Sequence, residues 1–162
     1  IAFGEQDGSR TTRIDRIESI LSQEGVQAEV SADIRKTLWS KLILVAAVGT
    51  MMAATRGNYV QILENPEGER TVRTVMKEIQ TVGESEGVTF DDGLIENNLK
   101  GSRDEAHELM ASLQIDLEAG NPLEIDNLLG AVIKKGRENN IPVPASAALY
   151  STLYNFRAGT PA

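Results

Sequence analysis

The feature that most constrains this chain is an uncharged segment, LILVAAVGTMMAA at residues 42–54, which lies inside the longer run 33–56. Its 13 residues fall short of the roughly 20 that span a bilayer. An apolar segment of this length is typical of a helix buried in a globular core. We therefore predict a helix over 33–56 as the most buried element, with no membrane-spanning segment.

One charged residue, Lys41, stands where the polar opening of this helix meets the apolar segment. Helical spacing places Lys41, Val45 and Gly49 on one face. A lysine beside an apolar wall has its charged form disfavoured, which makes it a better proton donor near neutral pH. The alternative is a lysine whose stem covers apolar neighbours while its ammonium reaches water. The helix alone leaves both interpretations open.

The remaining pattern predicts an α/β stub over residues 1–31 followed by a helical domain over 32–162. The helix 9–24 should have Ile14, Ile17, Ile20 and Leu21 on one apolar face, and the tail 157–162 should be frayed. The predicted elements are strands over 1–3 and 26–30, a helix over 9–24, the long helix with Ser31 as N-cap and Gly57 as left-handed C-cap, a helical turn over 59–63, helices over 66–87, 102–118, 121–139 and 145–156, and a weaker helix or irregular segment over 90–100.

Charge and composition limit the partners. The 162 residues carry a formal net charge of −8, which repels nucleic acid and anionic membranes. Cysteine is absent and His107 is the only histidine, so disulfides, zinc clusters of the usual kind and cysteine or serine-histidine nucleophiles are excluded. We expect no metal site and a cytoplasmic location. Because the sequence opens at Ile1 with no initiator methionine or signal peptide, we expect a part of a longer protein.

Two downstream residues are weak candidates when taken singly. Ser112 falls inside a predicted helix, where serine usually bonds back to a carbonyl one turn earlier. Glu124 is explained as the capping-box partner of Asn121. A cluster of acidic residues lacks a metal-loop pattern and is interpreted as a solvated helix end. Its members are Glu84, Glu86, Asp91 and Asp92.

Several motifs together resemble a known family. They are DIRKTLWSKL at 33–42, SLQID at 112–116, EID at 124–126 with Gly130, and NIPVP at 140–144. In this order the chain is similar to the C-terminal domain of the ketopantoate reductase (2-dehydropantoate 2-reductase) family. The opening IAFGEQDG resembles the last part of that family's N-terminal Rossmann domain, so the resemblance covers nearly the whole chain.

The resemblance implies a mainly α fold, an all-helical domain of the 6-phosphogluconate-dehydrogenase-like type, preceded by a strand-helix-strand remnant of a Rossmann domain. It implies NADPH-dependent reduction of a 2-keto acid, ketopantoate to pantoate in pantothenate biosynthesis. NADPH would be held mainly by the N-terminal domain, so the 162 residues alone should be inactive and bind NADPH weakly. A homodimer through the helical domain is implied too.

The same resemblance implies roles for four residues. Lys41 would be the general acid that protonates the ketone oxygen, Ser112 would bind the polar end of the substrate, and Glu124 would fix the substrate or the nicotinamide ribose. Asn58 would be a further substrate-binding or cofactor-binding residue.

The sequence departs from the family at the two positions that follow Lys41 on its helix face. Val45 and Gly49 stand where the family has asparagines. We therefore expect either poor reduction of ketopantoate or a preference for a 2-keto acid with a more apolar or bulkier tail. Two alternatives remain open at this point: a divergent member that reduces another 2-keto acid, and a helical interaction module without chemistry. No G-x-G-x-x-G follows a strand in this sequence.

Overall fold

The computed structural model describes residues 1–23, 25–105 and 110–160. Within these ranges the chain is mainly helical with two short strands, so the predicted fold class is confirmed. The elements are β1 (Ala2–Phe3), α1 (Thr12–Gln23), β2 (Glu29–Val30), α2 (Ile34–Thr55), α3 (Tyr59–Glu64), α4 (Pro66–Ser85), α5 (Leu94–Glu105), α6 (Ser112–Ala119), a 3-10 turn (Glu124–Asp126), α7 (Leu129–Glu138), α8 (Pro144–Leu153) and a second 3-10 turn (Tyr154–Phe156).

Residues Ile1–Ser40 form one compact unit with the predicted strand-helix-strand order. The two strands pair in parallel, with Phe3 opposite Val30. The predicted apolar face of α1 is buried only at Ile14, because Ile17 is 38% exposed and Ile20 is 52% exposed. Two strands of two residues are too small to cover a helix of three turns.

The caps of α2 lie two residues from the predicted position at the start of the helix and one residue from it at the end. The Asp33 carboxylate accepts a hydrogen bond from the Lys36 backbone N–H at 2.9 Å, so Asp33, not Ser31, caps the helix. At the other end Arg56, with a φ of 57°, takes the left-handed conformation that was predicted for Gly57. A local pattern fixes a helix end only to within a residue or two.

The sequence predicted α2 as the most buried element, but its apolar segment is not buried on every side. Ile43, Ala46, Ala47 and Ala53 are fully buried, whereas Val45 is 38% exposed. By length and composition alone α2 could cross a membrane. Core helices pass the same test, and the four fully buried side chains are typical of a core helix.

Residues Lys41–Ala162 form the second compact unit, whose central helix is α4. It begins at Pro66, as predicted, with the Asn65 side chain accepting hydrogen bonds from the backbone N–H groups of Glu67 and Gly68. α4 packs against α3, α5, α7 and α8. Its buried stripe follows helical spacing and consists of Val72, Val75, Met76, Ile79 and Val82.

Two predicted helices are wrong in their bounds. The predicted helix 102–118 does not exist as one element, because α5 ends at Glu105 and α6 begins at Ser112; residues 106–109, including His107, lie outside the described residues. The predicted helix 121–139 is split into the 3-10 turn and α7. Asn121 caps neither of them, because Leu123 and Leu128 occupy the two N-cap positions without a side-chain cap bond. The Asn121 amide N–H₂ donates instead to Asp116 Oδ1 at 3.2 Å.

The predicted frayed tail is held in place at residues 157–160. The Leu123 N–H donates to the Arg157 carbonyl at 3.2 Å, and the Thr160 N–H donates to the Gly120 carbonyl at 3.2 Å. The guanidinium of Arg157 also lies 3.9 Å from the centre of the Tyr154 ring. These bonds tie the tail to the loop before the 3-10 turn, a long-range pairing that composition does not reveal.

The acidic cluster is also only partly a solvated helix end. Glu86 is half-buried and accepts hydrogen bonds from Lys135 Nζ at 2.5 Å and from Asn139 Nδ2 at 2.6 Å. The carboxylate therefore joins the end of α4 to the last turns of α7.

Gly68 is required where α4 crosses the end of α3. A Cβ at this position would lie 2.4 Å from the Ile62 carbonyl oxygen, and overpacking against backbone costs about 1–3 kcal/mol. We expect Gly68→Ala to lower the free energy of unfolding by about this amount in urea denaturation. Gly49→Ala is the matched control, because its Cβ would meet Ala111 Cβ at an ordinary 3.6 Å and alanine favours a helix interior. An unchanged midpoint for Gly68→Ala would contradict the crowding.

Candidate functional site

A largely apolar cavity of about 300 Å³ lies between α2 and the start of α6. α2 contributes one face of its apolar segment, and the chain that enters α6 contributes the other side. The lining residues are Leu44, Val45, Val48, Gly49, Met52, Tyr59, Met110, Ala111, Ser112, Leu113 and Leu128. Apolar concave cavities with few polar groups are the usual form of small-molecule sites.

Lys41 lies one helical turn before Val45, on the face of α2 that lines this cavity. It is not itself a lining residue, and its side chain is exposed. The apolar wall that the sequence suggested therefore lies beyond Lys41 along the helix and does not surround it. Within the described residues its ammonium forms no ion pair or hydrogen bond, so it is available to a ligand at the cavity mouth.

Ser112 lies at the other side of the cavity. The sequence predicted Ser112 inside a helix, but it is the first residue of α6 and follows the N-cap Ala111. The serine is exposed, and its hydroxyl has no hydrogen-bond partner among the described residues. The packing thus brings Ser112 to the cavity that the helix face of Lys41 lines.

Glu124 and Asn58 stand beside the cavity without lining it. Glu124 begins the 3-10 turn, is exposed, and its backbone carbonyl accepts from the N–H of the lining residue Leu128 at 3.1 Å. The predicted capping box with Asn121 is absent. Asn58 precedes the lining residue Tyr59 and caps α3, since its Oδ1 accepts from the Gln61 N–H at 2.9 Å. Asn58 thus has a structural task of its own.

A hydrogen bond between two side chains, the Tyr150–Asp126 brace, fixes the turn that carries Glu124. The Tyr150 hydroxyl donates to Asp126 Oδ1 at 2.6 Å, and this hydrogen bond to the carboxylate raises the pKa of Tyr150 to about 12. Ile125, between the two acidic residues, is fully buried. The brace holds the backbone of the turn while the Glu124 side chain remains exposed.

The elements that form this apolar cavity thus also carry a cation on Lys41, a hydroxyl on Ser112 and, four residues before the lining residue Leu128, a carboxylate on Glu124. A cation can stabilise charge that develops on an oxygen, and a hydroxyl can bind a carboxylate end. Of the lining residues, sequence analysis named Ser112, Val45 and Gly49; Lys41, which it also named, lies one turn before the lining. It missed the other lining residues, because nothing in their spacing indicates that they share a cavity. Those are Leu44, Val48, Met52, Tyr59, Met110, Ala111, Leu113 and Leu128.

The described residues do not fit the phosphates of a dinucleotide. The space beside the glycines between β1 and α1 is filled by the chain's own backbone. A Cβ at Gly4 would lie 2.5 Å from the Ser31 carbonyl oxygen, and a Cβ at Gly8 would lie 2.4 Å from the Ala32 carbonyl oxygen. These two glycines therefore leave no cradle for a pyrophosphate. The exposed carboxylate of Glu124 could accept hydrogen bonds from ribose hydroxyls.

Comparison with known proteins adds family evidence to this geometry. Residues 33–156 match the family model described as ketopantoate reductase PanE/ApbA C terminal. The 2-dehydropantoate 2-reductase of Mesorhizobium japonicum is 34% identical over 148 residues, which cover 91% of this chain and 45% of that protein.

Two solved structures share the fold. The PanE/ApbA family ketopantoate reductase from Ralstonia eutropha JMP134 superimposes with a TM-score of 0.85 at 28% identity, covering 96% of this chain and 50% of that one. D-mandelate dehydrogenase, in a ternary structure with NADH and anilino(oxo)acetate, has a TM-score of 0.85 at 16% identity, covering 96% and 65%. The chain spans about half the length of the curated relatives it matches.

Proposed function

Because this chain belongs to the ketopantoate reductase family, whose C-terminal domain it matches, we propose that it is the substrate-binding part of an NADPH-dependent 2-keto acid reductase. The observation that carries the proposal is the convergence of the Lys41 face of α2 and Ser112 on one cavity. The product is a 2-hydroxy acid. Ketopantoate is the substrate that the relatives' names indicate.

In this proposal Lys41 is the general acid. When bound, NADPH supplies the hydride that the carbonyl carbon receives. The Lys41 ammonium donates a hydrogen bond to the ketone oxygen, stabilises the negative charge that grows on it, and transfers a proton to it. An exposed lysine at the mouth of an apolar cavity suits this task, because the substrate itself completes the burial of the ammonium.

Ser112 and Glu124 orient the substrate. The Ser112 hydroxyl donates to the substrate carboxylate, which places the ketone at Lys41. The Glu124 carboxylate accepts a hydrogen bond from a hydroxyl of the substrate or of the nicotinamide ribose. The Tyr150–Asp126 brace keeps Glu124 at the cavity rim. Asn58 contributes its amide N–H₂ group, since its carbonyl oxygen is taken by the α3 cap.

The proposal extends to the setting of the reaction. The cofactor phosphates are bound by a nucleotide-binding domain other than the described residues, so the 162 residues alone are inactive. The helical domain pairs with a second copy; a structural neighbour from Staphylococcus aureus is described as dimeric. The protein acts in the cytoplasm. Pantothenate biosynthesis is the pathway to which a ketopantoate substrate would assign it.

A turnover assay with product analysis tests this function. The whole protein, carrying both the nucleotide-binding domain and this chain, is mixed with NADPH and a panel of 2-keto acids that includes ketopantoate. We expect NADPH oxidation with formation of an equal amount of the matching 2-hydroxy acid. Absence of turnover on every 2-keto acid, in protein that is folded and binds NADPH, would favour a helical interaction module without chemistry.

A further inference from the structure

The cavity beside Lys41 is almost wholly apolar. Apart from the Ser112 hydroxyl at its edge and the phenol of Tyr59, the described side chains that line it are aliphatic or thioether groups. Val48, Met52 and Leu113 are buried around it. Its volume of about 300 Å³ lies at the small end of the range for ligand sites.

The geometry of α2 relates this cavity to the reacting end of a substrate. Four residues of α-helix rise about 6 Å, so Val45 lies about one turn and Gly49 about two turns from Lys41 on the same face. A substrate whose ketone oxygen meets Lys41 and whose carboxylate meets Ser112 has its tail directed towards Val45 and Gly49. The tail therefore enters the apolar part of the cavity.

Small residues form the part of the wall where α2 and the chain entering α6 come together. A Cβ at position 49 would lie 3.6 Å from the Ala111 Cβ, an ordinary van der Waals contact. Both residues are in the cavity lining. A side chain larger than alanine at position 49 would therefore press against Ala111 or extend into the cavity.

Resting on the proposed function, we infer that the substrate is a 2-keto acid with a branched or aromatic hydrocarbon tail, and that Val45 and Gly49 determine this specificity. Neither side chain can pair with a tail hydroxyl. A hydroxyl that is buried against these two residues, with no other partner, lowers kcat/KM by about tenfold or more. A hydrocarbon tail buries its surface without that cost.

The inference is tested by a matched pair of substrates on the whole protein with NADPH. The pair consists of ketopantoate and its analogue in which the tail hydroxyl is replaced by hydrogen, with an aryl 2-keto acid as a third substrate. We expect kcat/KM to be about tenfold or more higher for the two substrates without the hydroxyl. Calorimetric dissociation constants of the three 2-hydroxy acid products, measured without turnover, should follow the same order.

Two substitutions of the same chemistry locate the effect. Val45→Asn adds a hydrogen-bonding side chain to the cavity at a partly exposed position, where the fold should tolerate it. We expect it to reduce the preference against the hydroxyl by about tenfold. Ile115→Asn, on the exposed face of α6 and outside the lining, should leave the preference unchanged.

Three results would overturn the inference. In the first, kcat/KM for ketopantoate equals or exceeds that for the two substrates without the hydroxyl; this result contradicts the apolar-tail specificity and leaves the proposed function intact. An apolar preference that Val45→Asn does not change contradicts the role of Val45. Loss of turnover on all three substrates, in folded protein, contradicts the proposed function and the inference together.

Discussion

Replacing Lys41 by alanine should lower kcat of the whole protein on the proposed 2-keto acid substrate by about 10²-fold or more, since general acid catalysis commonly contributes 10²- to 10⁴-fold. The change should appear in kcat and kcat/KM together, because the proton is needed only as charge develops on the ketone oxygen. Folding should change little, since Lys41 is exposed and has no hydrogen bond within the described residues. Steady-state kinetics and a thermal unfolding curve of the same preparation measure both quantities.

Lys36→Ala is the matched control for Lys41→Ala. It removes the same charge from the same helix, but outside the site. Its kcat should stay within a factor of about two, as expected for a substitution that touches no reacting group. Unaltered turnover of Lys41→Ala would instead show that the lysine only covers apolar neighbours and extends its ammonium into water.

Glu78→Ala lowers the free energy of unfolding by about 2–4 kcal/mol, because it leaves several donors at the start of α8 without an acceptor. The Glu78 carboxylate accepts from the Ala145 N–H at 2.9 Å, from the Ser146 N–H at 2.7 Å and from the Ser146 hydroxyl at 2.7 Å. Ser146 is fully buried, so water cannot replace the lost bonds. Urea denaturation of the variant measures the loss.

Glu84→Ala is the control on the same helix. Glu84 is exposed, and its carboxylate accepts a hydrogen bond from the Gln80 side chain one turn earlier. Exposed pairs of this kind contribute little, so this variant should stay within about 0.5 kcal/mol of the parent. Equal stability of the two variants would show that Glu78 is not the cap that holds α8 against α4.

The helices that the sequence predicts best are those with strong local signals. Pro66 stands at the first turn of α4, as predicted, and the apolar period of α4 matches its buried stripe. The last helix was predicted from residue 145, and in the structure α8 begins one residue earlier, at Pro144. Where the sequence fails, a local signal competes with tertiary packing. Asn121 has capping-box spacing with Glu124, yet its side chain bonds to Asp116, because the loop is held from the other side by the C-terminal tail.

The site follows the same division. Helical spacing alone places Lys41, Val45 and Gly49 on one face, and the continuous helix α2 has them there. The meeting of that face with Ser112 depends on how α6 packs against α2, which no short-range pattern encodes. It was expected only through the family resemblance. Met110 and Ala111 were missed for the same reason, as was the buried Glu78 cap.

A crystal structure of the whole protein with NADPH and a slowly reacting 2-keto acid with a hydrocarbon tail tests the central claim most directly. We predict the ketone oxygen within about 3.2 Å of Lys41 Nζ, a hydrogen-bond distance. The carboxylate should meet Ser112 Oγ, and the tail should contact Val45 and Gly49. A 2-keto acid bound away from α2, or bound in the cavity with its ketone oxygen out of reach of Lys41, would contradict the account.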